Sequence, residues 1–445
     1  MSAVVVVGAG PAGTAAAEAA ASAGCRVVLI DSAARLGGQF HRQDSLQDTE
    51  KFVLHHNVEH LAGTAVAGLE PLERGHRLHL RTGQADGPQR IARSVDTTAL
   101  VLATGAYDRA LPFPGWELPG VYTAGAAQAL AKGQRVAVGK RVLLAGTGPF
   151  LLPVADSLLD IGAQLVGVLE ANSSGMGWLR EPAALFAGHR KAAELAGYVR
   201  MLGRHRVPYR SRTTVIAAHG RDRVEAVTTA RLDHEWRVRS GSERRFAVNA
   251  VCVGFGFLPQ LELAVSAGCA LDGGFVMVNA AQATSVPGVF AAGELTGIGG
   301  ADLAAAEGTV AGIAAAQSLG ASVGVPHRAL RQVKEGRTFA EGLARAYPVR
   351  NGWRTWLDDD TLVCRCEEVS RRELLDSVER RDALGVRSLK LVSRAGLGLC
   401  QGRICGRNVA ELTGTSPDGF ARRPIAAPIR LGELSEVESP WEGKA

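Results

Sequence analysis

The sequence predicts an α/β protein with two Rossmann-like dinucleotide-binding domains and a small, α-rich C-terminal domain. Three observations support this prediction. A glycine-rich turn at 8–13 stands between a predicted strand and a predicted helix, and a similar turn occurs at 146–151. Four of the seven cysteines lie between residues 364 and 405. With 445 residues, the chain is long enough for about two to four domains with large cores.

The first predicted βαβ unit is continuous in the sequence. Residues 3–7 form an apolar run of mostly β-branched side chains, which is typical of a buried parallel strand. The glycine turn follows, then an alanine-rich helix to Ser22 and a strand at 26–30 that ends at Asp31. Because the turn stands in its full βαβ context, a glycine turn that holds no ligand is the weaker interpretation.

Each glycine of this turn has a physical task. Gly8 permits a tight turn, Gly10 lets the backbone approach a pyrophosphate, and Gly13 lets the helix pack close to the strand. The N-terminus of the helix attracts phosphate groups. Asp31 is placed to accept a hydrogen bond from a ribose hydroxyl. The motif recognises the ADP half of a ligand, so FAD and another adenine nucleotide such as ATP both remain open.

The second unit departs from this pattern. A strand at 141–145 leads into the turn 146–151, and a strand at 165–169 ends at Glu170. Leu151 occupies the third glycine position, where a bulky side chain changes how the helix meets the strand and the ligand. No arginine closely follows Glu170 to receive a 2′-phosphate, so a nicotinamide ligand would be NAD rather than NADP. A retained fold that no longer takes a nicotinamide is the alternative, and both stay open.

The clustered cysteines form the sharpest pattern in the chain: a CxC pair, Cys364 and Cys366, and a CxxxxC pair, Cys400 and Cys405. Four thiolates are the ligand set of a [2Fe–2S] cluster or of a structural zinc site. Zinc sites more often use CxxC pairs, so the CxC pair favours [2Fe–2S]. No histidine follows His327, which excludes Rieske and mixed Cys/His sites.

The surroundings of the cysteines suit an anionic cluster. Glycines near the second pair leave backbone N–H groups free to face sulfur, and arginines offset negative charge. The glycines are Gly396, Gly398, Gly402 and Gly406, and the arginines are Arg365, Arg403 and Arg407. The residues from Ser370 to Arg380 and beyond predict a helix between the two pairs. The three isolated cysteines, Cys25, Cys252 and Cys269, stand in apolar stretches and are predicted to be buried small hydrophobes.

Composition excludes several classes of protein. Charged residues make up 21% of the chain and the net charge is +6, with basic and acidic residues intermixed, which predicts a solvated surface rather than a nucleic-acid site. No stretch is typical of a membrane span. The apolar run at 3–24 is broken by glycines and is followed directly by a strand, so it is interpreted as part of the fold rather than as a signal peptide. We therefore expect a cytoplasmic location.

Two further stretches bear on the first unit. Residues 100–105 form a predicted strand that ends in Ala-Thr-Gly, and residues 284–294 form a turn and a short strand that end in Ala-Gly-Glu. With the first glycine turn, these features make residues 1–320 resemble the two-dinucleotide-domain flavoproteins, the glutathione-reductase-like and thioredoxin-reductase-like group. The resemblance implies FAD in the first domain. The implied cofactor contacts are Gly8, Gly10, Pro11, Ala12, Gly13, Asp31, Ser32, Gly38, Gln39, Ala103, Thr104, Gly105, Gly293 and Glu294.

This chain departs from that group in two respects. Glu294 stands where the group usually has Asp, one methylene shorter. The dithiol reductases of the group carry a cysteine pair beside the flavin, but neither the stretch after Asp31 nor the predicted second domain contains one, so disulfide reduction is disfavoured. His41 is a candidate neighbour of the flavin ring, although a packing or surface histidine is the simpler interpretation. No acid–base pair stands near the flavin motifs, and the catalytic residues stay unknown.

The cysteine region resembles the bacterioferritin-associated-ferredoxin-like (BFD-like) [2Fe–2S] domain, whose first pair is CxC. Its second pair is usually CxxC, so the CxxxxC spacing here is longer. The whole chain resembles the α (A) subunits of heteromeric bacterial amine dehydrogenases, which include opine oxidases, D-hydroxyproline and proline dehydrogenases and hydrogen cyanide synthase. Further matching features are the stretches 103–109, 112–121 and 146–149.

The resemblance implies an electron-transfer role. In that family a β subunit similar to glycine or D-amino-acid oxidases oxidises the amine, and electrons then reach flavin and [2Fe–2S] in the α subunit. Some members hold FMN at the subunit interface, and a small third subunit or an electron carrier is a further implied partner. Two alternatives remain: a stand-alone NADH-dependent flavin and iron–sulfur reductase, and a non-catalytic scaffold or sensor that binds nucleotide and cluster.

These motifs predict a division of the chain into five parts. The predicted boundaries are 1–114 with 256–325 for the FAD-binding domain, 115–255 for the inserted second domain, 326–360 for a linker, 361–415 for the BFD-like domain and 416–445 for a C-terminal tail.

Overall fold

The structure is a computed structural model. It describes residues 3–42, 52–85, 87, 89–173, 177–188, 191–423 and 425–435. The predicted first domain and tail therefore extend in part beyond the described residues.

The strands are short and are numbered along the chain. The strands are β1 Val4–Val7, β2 Val27–Ile30, β3 Val58–Leu61, β4 Thr64–Pro71, β5 His76–Thr82, β6 Ile91–Thr97, β7 Ala99–Leu102, β8 Ala106–Asp108, β9 Val121–Thr123, β10 Arg141–Gly146, β11 Gln164–Glu170, β12 Tyr209–Ser211, β13 Thr213–His219, β14 Ala226–Arg231, β15 Arg244–Ala247, β16 Ala250–Gly254, β17 Phe257–Pro259, β18 Leu271–Asp272, β19 Phe275–Val276, β20 Val289–Ala291, β21 Leu362–Cys364 and β22 Val369–Ser370.

The helices are numbered in the same way. The α-helices are α1 Pro11–Ser22, α2 Ala124–Gln134, α3 Leu151–Asp160, α4 Pro182–Ala187, α5 Lys191–Arg204, α6 Glu262–Ser266, α7 Ala301–Ser318, α8 His327–Ala346, α9 Arg371–Glu379, α10 Val386–Ser393, α11 Gly406–Thr413 and α12 Leu431–Ser435. No helix among the described residues is long and apolar enough to cross a membrane.

The first sheet explains why its strands are continuous apolar runs. Its order is β20-β7-β1-β2-β3, and all of its pairings are parallel. Helices cover one face of the sheet, and the antiparallel meander β4-β5-β6 and α6 contribute to the core on the other. Every side chain of β1 is buried, as a strand covered on both faces requires. Because β20 lies at 289–291, the chain leaves this sheet after β7 and returns to it nearly 190 residues later.

The second sheet repeats the architecture. Its order is β12-β11-β10-β16-β9, with every pairing parallel, and the meander β13-β14-β15 lies beside it. Its core is rich in tryptophan: Trp236 and Trp356 stack with ring centroids 6.0 Å apart, and Trp116 and Trp353 are fully buried in the same cluster. Two of these tryptophans come from the stretch predicted as a linker, so that stretch packs as part of the core.

The cysteine-containing part folds around its own small core. The hairpin β21-β22 precedes α9, whose N-terminus has a capping box between Ser370 and Glu373. The helices α9, α10 and α11 enclose a core that includes Cys364, Cys405 and Phe420. The helix predicted from Ser370 onward corresponds to α9.

The C-terminal tail returns to the first domain. The Ala426 amide donates to the Ala67 carbonyl on β4 over 2.7 Å, and Arg90 forms a nearly buried ion pair with Glu433. Arg81 also donates to the Glu433 carbonyl. The described part of the tail therefore fastens the cysteine domain to the meander β4-β5-β6. The positions of the predicted domain boundaries stay predictions.

Candidate nucleotide and iron–sulfur sites

The first glycine turn is shaped by close backbone contacts. A Cβ on Gly13 would lie 1.6 Å from the Gly8 carbonyl oxygen, so only glycine lets α1 approach β1 this closely. Gly38 has φ +59°, and a Cβ there would lie 2.8 Å from the Cα of Gly10. The two stretches that the resemblance assigns to FAD thus meet backbone to backbone. Pro11 opens α1, and Ala12 is buried beneath the turn.

Asp31 lies at the carboxyl end of β2, as the motif predicts. Its carboxylate accepts hydrogen bonds from the backbone amides of Ala9 and Ala33. The Asp31 side chain is half-buried. Ser32 beside it is exposed.

The Ala-Thr-Gly stretch follows β7 at the same end of the sheet. The Ala103 amide donates to Val7 on β1, and the Thr104 hydroxyl donates to the Gln260 carbonyl over 2.9 Å. The Gly105 carbonyl accepts from the amide of Gln260. The segment by which the chain leaves the first domain is therefore hydrogen-bonded to the segment by which it returns. Gln39 is exposed, and its amide oxygen accepts from Arg42.

Glu294 is the group most strongly marked as a ligand contact. Its Oε1 accepts from the Gly300 amide over 2.9 Å, whereas its Oε2 is buried with no hydrogen-bond partner among the described residues. Burial raises the pKa of Glu294 to about 7. Buried polar atoms are rarely left unsatisfied, so Oε2 marks a place where a ligand group would bond.

A second carboxylate supports this corner and was missed by the sequence analysis. Glu307 on α7 accepts from the Gly293 amide and the Thr296 hydroxyl, each over 2.8 Å. Arg337 on α8 forms an ion pair with it over 2.7 Å. Burial raises the pKa of Glu307, and Arg337 is the largest opposing influence. A glutamate inside an alanine-rich helix is the signal in the sequence that would have pointed to it.

These residues fit FAD. The close contacts at Gly13 and Gly38 keep side chains out of the turn at the N-terminus of α1, where a pyrophosphate would bind, and Asp31 follows the neighbouring strand β2. The unpartnered Oε2 of Glu294 faces the same end of the first sheet from the returning chain. His41 packs edge to face against Phe40 and Phe52, with ring centroids 4.7 and 5.6 Å apart. These contacts support the interpretation of His41 as a packing residue.

The second turn differs because its acidic residue is fully buried and bonds a side-chain hydroxyl as well as backbone amides. Glu170 is fully buried and accepts from the Thr147 hydroxyl, the Gly148 amide and the Asn172 amide, each over 2.8 Å. Asn172 in turn donates to the Pro348 carbonyl and accepts from Trp236. Burial raises the pKa of Glu170. The carboxylate that would hold a nicotinamide nucleotide's ribose is thus bonded to the protein itself and covered by the stretch after α8.

The structure brings the four cysteines together. The Sγ atoms of Cys364 and Cys366 are 3.9 Å apart, and those of Cys366 and Cys400 are 3.8 Å apart. This spacing is about the edge of a tetrahedron with metal–sulfur bonds of ~2.3 Å. Cys405 interacts with both Cys364 and Cys400. Cys364 and Cys405 are buried, Cys400 is half-buried and Cys366 is exposed.

Local hydrogen bonds favour the metal-binding thiolate form of two of the four cysteines, whereas burial raises the pKa of Cys366 to about 11 and the bonds to Cys364 and Cys400 raise the pKa of Cys405. The Cys405 thiol lowers the pKa of Cys364 to about 6, with help from the amides of Gly396 and Glu367. Cys405 likewise lowers the pKa of Cys400 to about 5, and the amides of Ile404 and Gly402 add to the effect. Two of the four predicted glycines, Gly396 and Gly402, therefore present amides to sulfur.

The four thiols line a common cavity. As placed, no group of three or more His, Cys, Asp or Glu side chains in the described part of the chain is arranged to hold a single metal ion. A cavity of about 200 Å³ is lined by all four cysteines and by Trp116, Tyr122, Thr123 and Arg365. Four thiols around one cavity fit a metal centre, either a single ion or a [2Fe–2S] cluster.

The cysteine loop is joined to the first domain by a buried polar network. Arg403, inside the CxxxxC segment, donates to the Tyr107 hydroxyl over 2.7 Å and pairs with Glu262 over 2.8 Å. Arg423 from the tail pairs with the same carboxylate and donates to Gln401 over 2.9 Å. Tyr107 lies on β8, two residues after Gly105. The network therefore spans from the Ala-Thr-Gly stretch to the metal-ligand loop.

A second set of contacts joins the cysteine domain to the segment that follows β8. Asn408 on α11 donates to the Ala110 carbonyl over 2.9 Å, and Arg109 pairs with Glu411 over 2.8 Å. Of these joint residues the sequence analysis singled out Arg403, and it assigned that residue to charge balance. The partners Tyr107, Glu262 and Arg423 are far apart in the sequence, so no local pattern marks them.

Comparison with protein-family models matches both parts of the chain. Residues 2–318 match the family described as pyridine nucleotide-disulphide oxidoreductase, and residues 362–413 match the BFD-like [2Fe-2S] binding domain. The chain belongs to the pyridine nucleotide-disulphide oxidoreductase family. FAD and [2Fe–2S] are accordingly its cofactors, and the zinc and ATP alternatives are not supported.

Curated relatives match nearly the whole chain. The A-subunit of opine oxidase from Agrobacterium tumefaciens (strain Ach5) is 32% identical over 98% of this chain and 91% of the relative. The HcnB subunit of hydrogen cyanide synthase from Pseudomonas protegens is 30% identical over 94% of each chain. The predicted resemblance to this group of oxidoreductase subunits is confirmed.

Solved structures support the fold. The crystal structure of L-proline dehydrogenase from P. horikoshii aligns with a TM-score of 0.67 and 19% identity over 97% of this chain and 79% of the other. The structure of T. acidophilum thioredoxin reductase aligns with a TM-score of 0.51 and 24% identity over 71% of this chain and 96% of the other. Two dinucleotide-type domains plus a C-terminal iron–sulfur domain, as predicted, are thereby confirmed.

Proposed function

We propose that this chain is the electron-transfer subunit of a heteromeric dehydrogenase that oxidises the C–N bond of an amino acid or N-substituted amino acid. The relatives named as subunits of opine oxidase and hydrogen cyanide synthase support this class of reaction. The alpha subunit of sarcosine oxidase from a Corynebacterium species, 31% identical over 38% of this chain, is a further relative named for an amine substrate.

The observation that carries the proposal is the joint between the two cofactor regions. Tyr107, Arg403 and Glu262 hold the loop between Cys400 and Cys405 against the crossover strand of the first domain. When bound, FAD accepts electrons in pairs and releases them singly, and [2Fe–2S] carries them one at a time. A buried joint keeps the two sites at a fixed separation, which transfer between them requires.

The proposal assigns the cofactor contacts residue by residue. Backbone at Gly8, Gly10 and Gly13 receives the pyrophosphate, and the other predicted FAD contacts follow at the same end of the sheet. Asp31 holds the adenosine ribose, and Glu294 bonds the ribityl side of the cofactor through its unpartnered oxygen. The four cysteines hold [2Fe–2S]. The predicted division of the chain at 115, 255 and 361 belongs to the same proposal.

The second domain argues against a stand-alone NADH reductase. Glu170 has no exposed surface and its carboxylate already accepts three hydrogen bonds from the protein. Binding a nicotinamide nucleotide there would require breaking this network and moving the stretch around Pro348 that covers it. Electrons therefore enter from a partner chain rather than from NADH.

The partner we propose is a β subunit similar to glycine or D-amino-acid oxidases, which binds the substrate. FMN at the subunit interface and a small third subunit or carrier complete the proposed complex. We place this complex in the cytoplasm, where cysteine ligands stay reduced.

Co-expression with a candidate β subunit tests the proposal. The purified pair is mixed anaerobically with glycine, sarcosine, proline, hydroxyproline and octopine in turn, and the visible bands of flavin and cluster are recorded. We expect one class of substrate to bleach the cluster bands in the pair and none to bleach them in the isolated chain. Rapid bleaching of the isolated chain by an amine would overturn the proposal.

A further inference from the structure

The four cysteine ligands are arranged asymmetrically with respect to solvent. Cys364 is 0% exposed and Cys405 is 1% exposed, whereas Cys366 is exposed and Cys400 is half-buried. Cys364 and Cys405 belong to the small core of the cysteine domain. The cluster therefore has one edge inside the protein and one edge, at Cys366 and Cys400, at the surface.

The exposed edge is bordered by apolar side chains. Gly398 lies directly on Cys366, because a Cβ at Gly398 would be 2.5 Å from the Cys366 sulfur. The residues on either side, Leu397 and Leu399, are 45% and 91% exposed. Leu391, on the neighbouring helix α10, is 68% exposed. Large exposed leucines of this kind, grouped beside a redox centre, are typical of a contact surface rather than of a solvated one.

The helix α10 next to this edge, with the loop that precedes it, carries an excess of basic residues. From 380 to 399 the chain carries five basic residues, Arg380, Arg381, Arg387, Lys390 and Arg394, and one acidic residue, Asp382. Arg380 pairs with Asp376 over 3.3 Å, so Arg381 and Arg387 are the arginines of this stretch without an ion pair among the described residues. The nearest acidic side chain on the other side of the cluster, Glu367, forms an ion pair with Arg394 over 2.7 Å. Cys366 itself lies between Arg365 and Glu367, and Glu368 adds one exposed carboxylate. The excess of positive charge would attract a partner with an acidic face.

We propose that this cluster edge, formed by Cys366, Leu397, Leu399 and the α10 surface, is the docking site of an acidic one-electron carrier protein. The inference rests on the proposed electron-transfer function and names the class of acceptor. The leucines supply a small apolar contact, and the arginines steer the encounter. Weak electron-transfer encounters use interfaces below about 1,200 Å², so a small apolar contact suffices for such a partner.

Stopped-flow mixing of the reduced chain with two protein probes tests the proposal. The full chain, carrying FAD and cluster, is reduced with dithionite and freed of excess reductant. It is then mixed with oxidised plant plastocyanin, an acidic blue-copper protein, or with oxidised mitochondrial cytochrome c, a basic haem protein. In each case one electron leaves the chain and reduces Cu(II) to Cu(I) or Fe(III) to Fe(II), and both probes are strong enough oxidants to accept it.

We expect plastocyanin to react faster at low salt, and its rate to fall as salt screens the attraction. At low salt, the charge reversal R381E/R387E should lower the rate of plastocyanin reduction about tenfold and raise the rate of cytochrome c reduction. Electrostatic steering changes association rates on the order of 10- to 1,000-fold. The matched control is R245E, which reverses one exposed arginine on β15 of the second domain. It should leave both rates within about twofold.

A third variant addresses the apolar contact. L399S removes a side chain that is almost wholly exposed, so the fold should not depend on it. At high salt, where electrostatic steering is screened, this variant should still lower the rate of plastocyanin reduction severalfold. Equal effects of R381E/R387E and R245E on the rates, or unchanged rates in all variants, would overturn the docking site. Because dithionite supplies the electrons, these outcomes do not depend on which amine, if any, the complex oxidises.

Discussion

Arg403, in the segment between two cysteine ligands, donates to the hydroxyl of Tyr107 on the crossover strand of the first domain over 2.7 Å. The same guanidinium pairs with Glu262, which also pairs with Arg423. One carboxylate therefore balances two nearly buried arginines at the junction of three segments of the chain.

Removing the carboxylate of the joint should loosen it. E262Q leaves Arg403 and Arg423 without their counter-charge, and breaking a buried pair in this way costs about 3–5 kcal/mol. We expect the free energy of unfolding, measured by urea denaturation of the cluster-loaded chain, to fall by at least half of that. E117Q, at an exposed glutamate, is the control and should change it little. Equal stability of E262Q and wild type would contradict the assigned role.

The cations near the cluster should raise its reduction potential. Reduction adds negative charge, and Arg423 stands close enough to Cys400 to interact with it electrostatically. R423Q should therefore lower the reduction potential of the cluster. A tenfold change in the ratio of reduced to oxidised cluster at a fixed potential corresponds to a shift of about 59 mV. A redox titration followed by electron paramagnetic resonance measures this. R422Q, at the adjacent exposed residue, should leave the potential unchanged; a shift of the same size there would contradict the prediction.

The nucleotide site should show a pH dependence that comes from Glu294. Burial raises its pKa to about 7, well above the ordinary value of 4.5. The folded state then holds more protons than the unfolded state between these values, so the stability of the FAD-free chain should fall as pH rises from about 4.5 to 7, on the order of 2 kcal/mol. E294Q should remove that slope in urea unfolding experiments.

The same substitution should flatten the pH dependence of cofactor affinity. Below pH 7 the protonated carboxyl can donate from Oε2, whereas above pH 7 an anion faces a phosphate-bearing ligand. Wild-type affinity for FAD, measured by quenching of flavin fluorescence, should weaken as pH rises through about 7. E294Q should bind FAD with similar affinity below and above this pH. A wild-type affinity that is constant across this range would contradict the assignment.

The contact between Gly10 and Gly38 should be needed for FAD binding. G38A places a Cβ 2.8 Å from the Cα of Gly10. Gly63 is a matched control, because its φ of +58° equals that of Gly38 within one degree while nothing lies within 4 Å of its Cβ position. Both variants carry the left-handed backbone cost of about 1–2 kcal/mol. We expect only G38A to lose bound FAD during gel filtration; equal retention by both would contradict the prediction.

Local motifs and long-range contacts differ in how far the sequence predicts them. The turn at Gly8–Gly13 and the CxC pair are contiguous patterns whose chemistry is local, and the structure places them as expected. The strand at 141–146 and the helix after Ser370 follow from periodicity and capping in the same way. In contrast, the hydrogen bonds that close over Glu170 come from Thr147, Asn172 and the region of Pro348, and no short pattern joins these residues.

The joint between the domains shows the same limit. Tyr107 and Arg403 are nearly 300 residues apart, and the role of each depends on how the domains dock. The stretch 326–360 lacks a strong motif and was predicted as a linker, yet it contains the 20-residue helix α8 and contributes Trp353 and Trp356 to a core. Tertiary packing, rather than local propensity, decides these features.

The most direct test of the central claim is anaerobic visible spectroscopy of the purified chain, with NADH added first and dithionite second. Because Glu170 is closed within its own hydrogen-bond network, we predict that NADH leaves the flavin and cluster bands unchanged and that dithionite bleaches both. Rapid bleaching of these bands by NADH would contradict the account, because it would mean that the second domain takes a nicotinamide and that the chain accepts electrons without a partner.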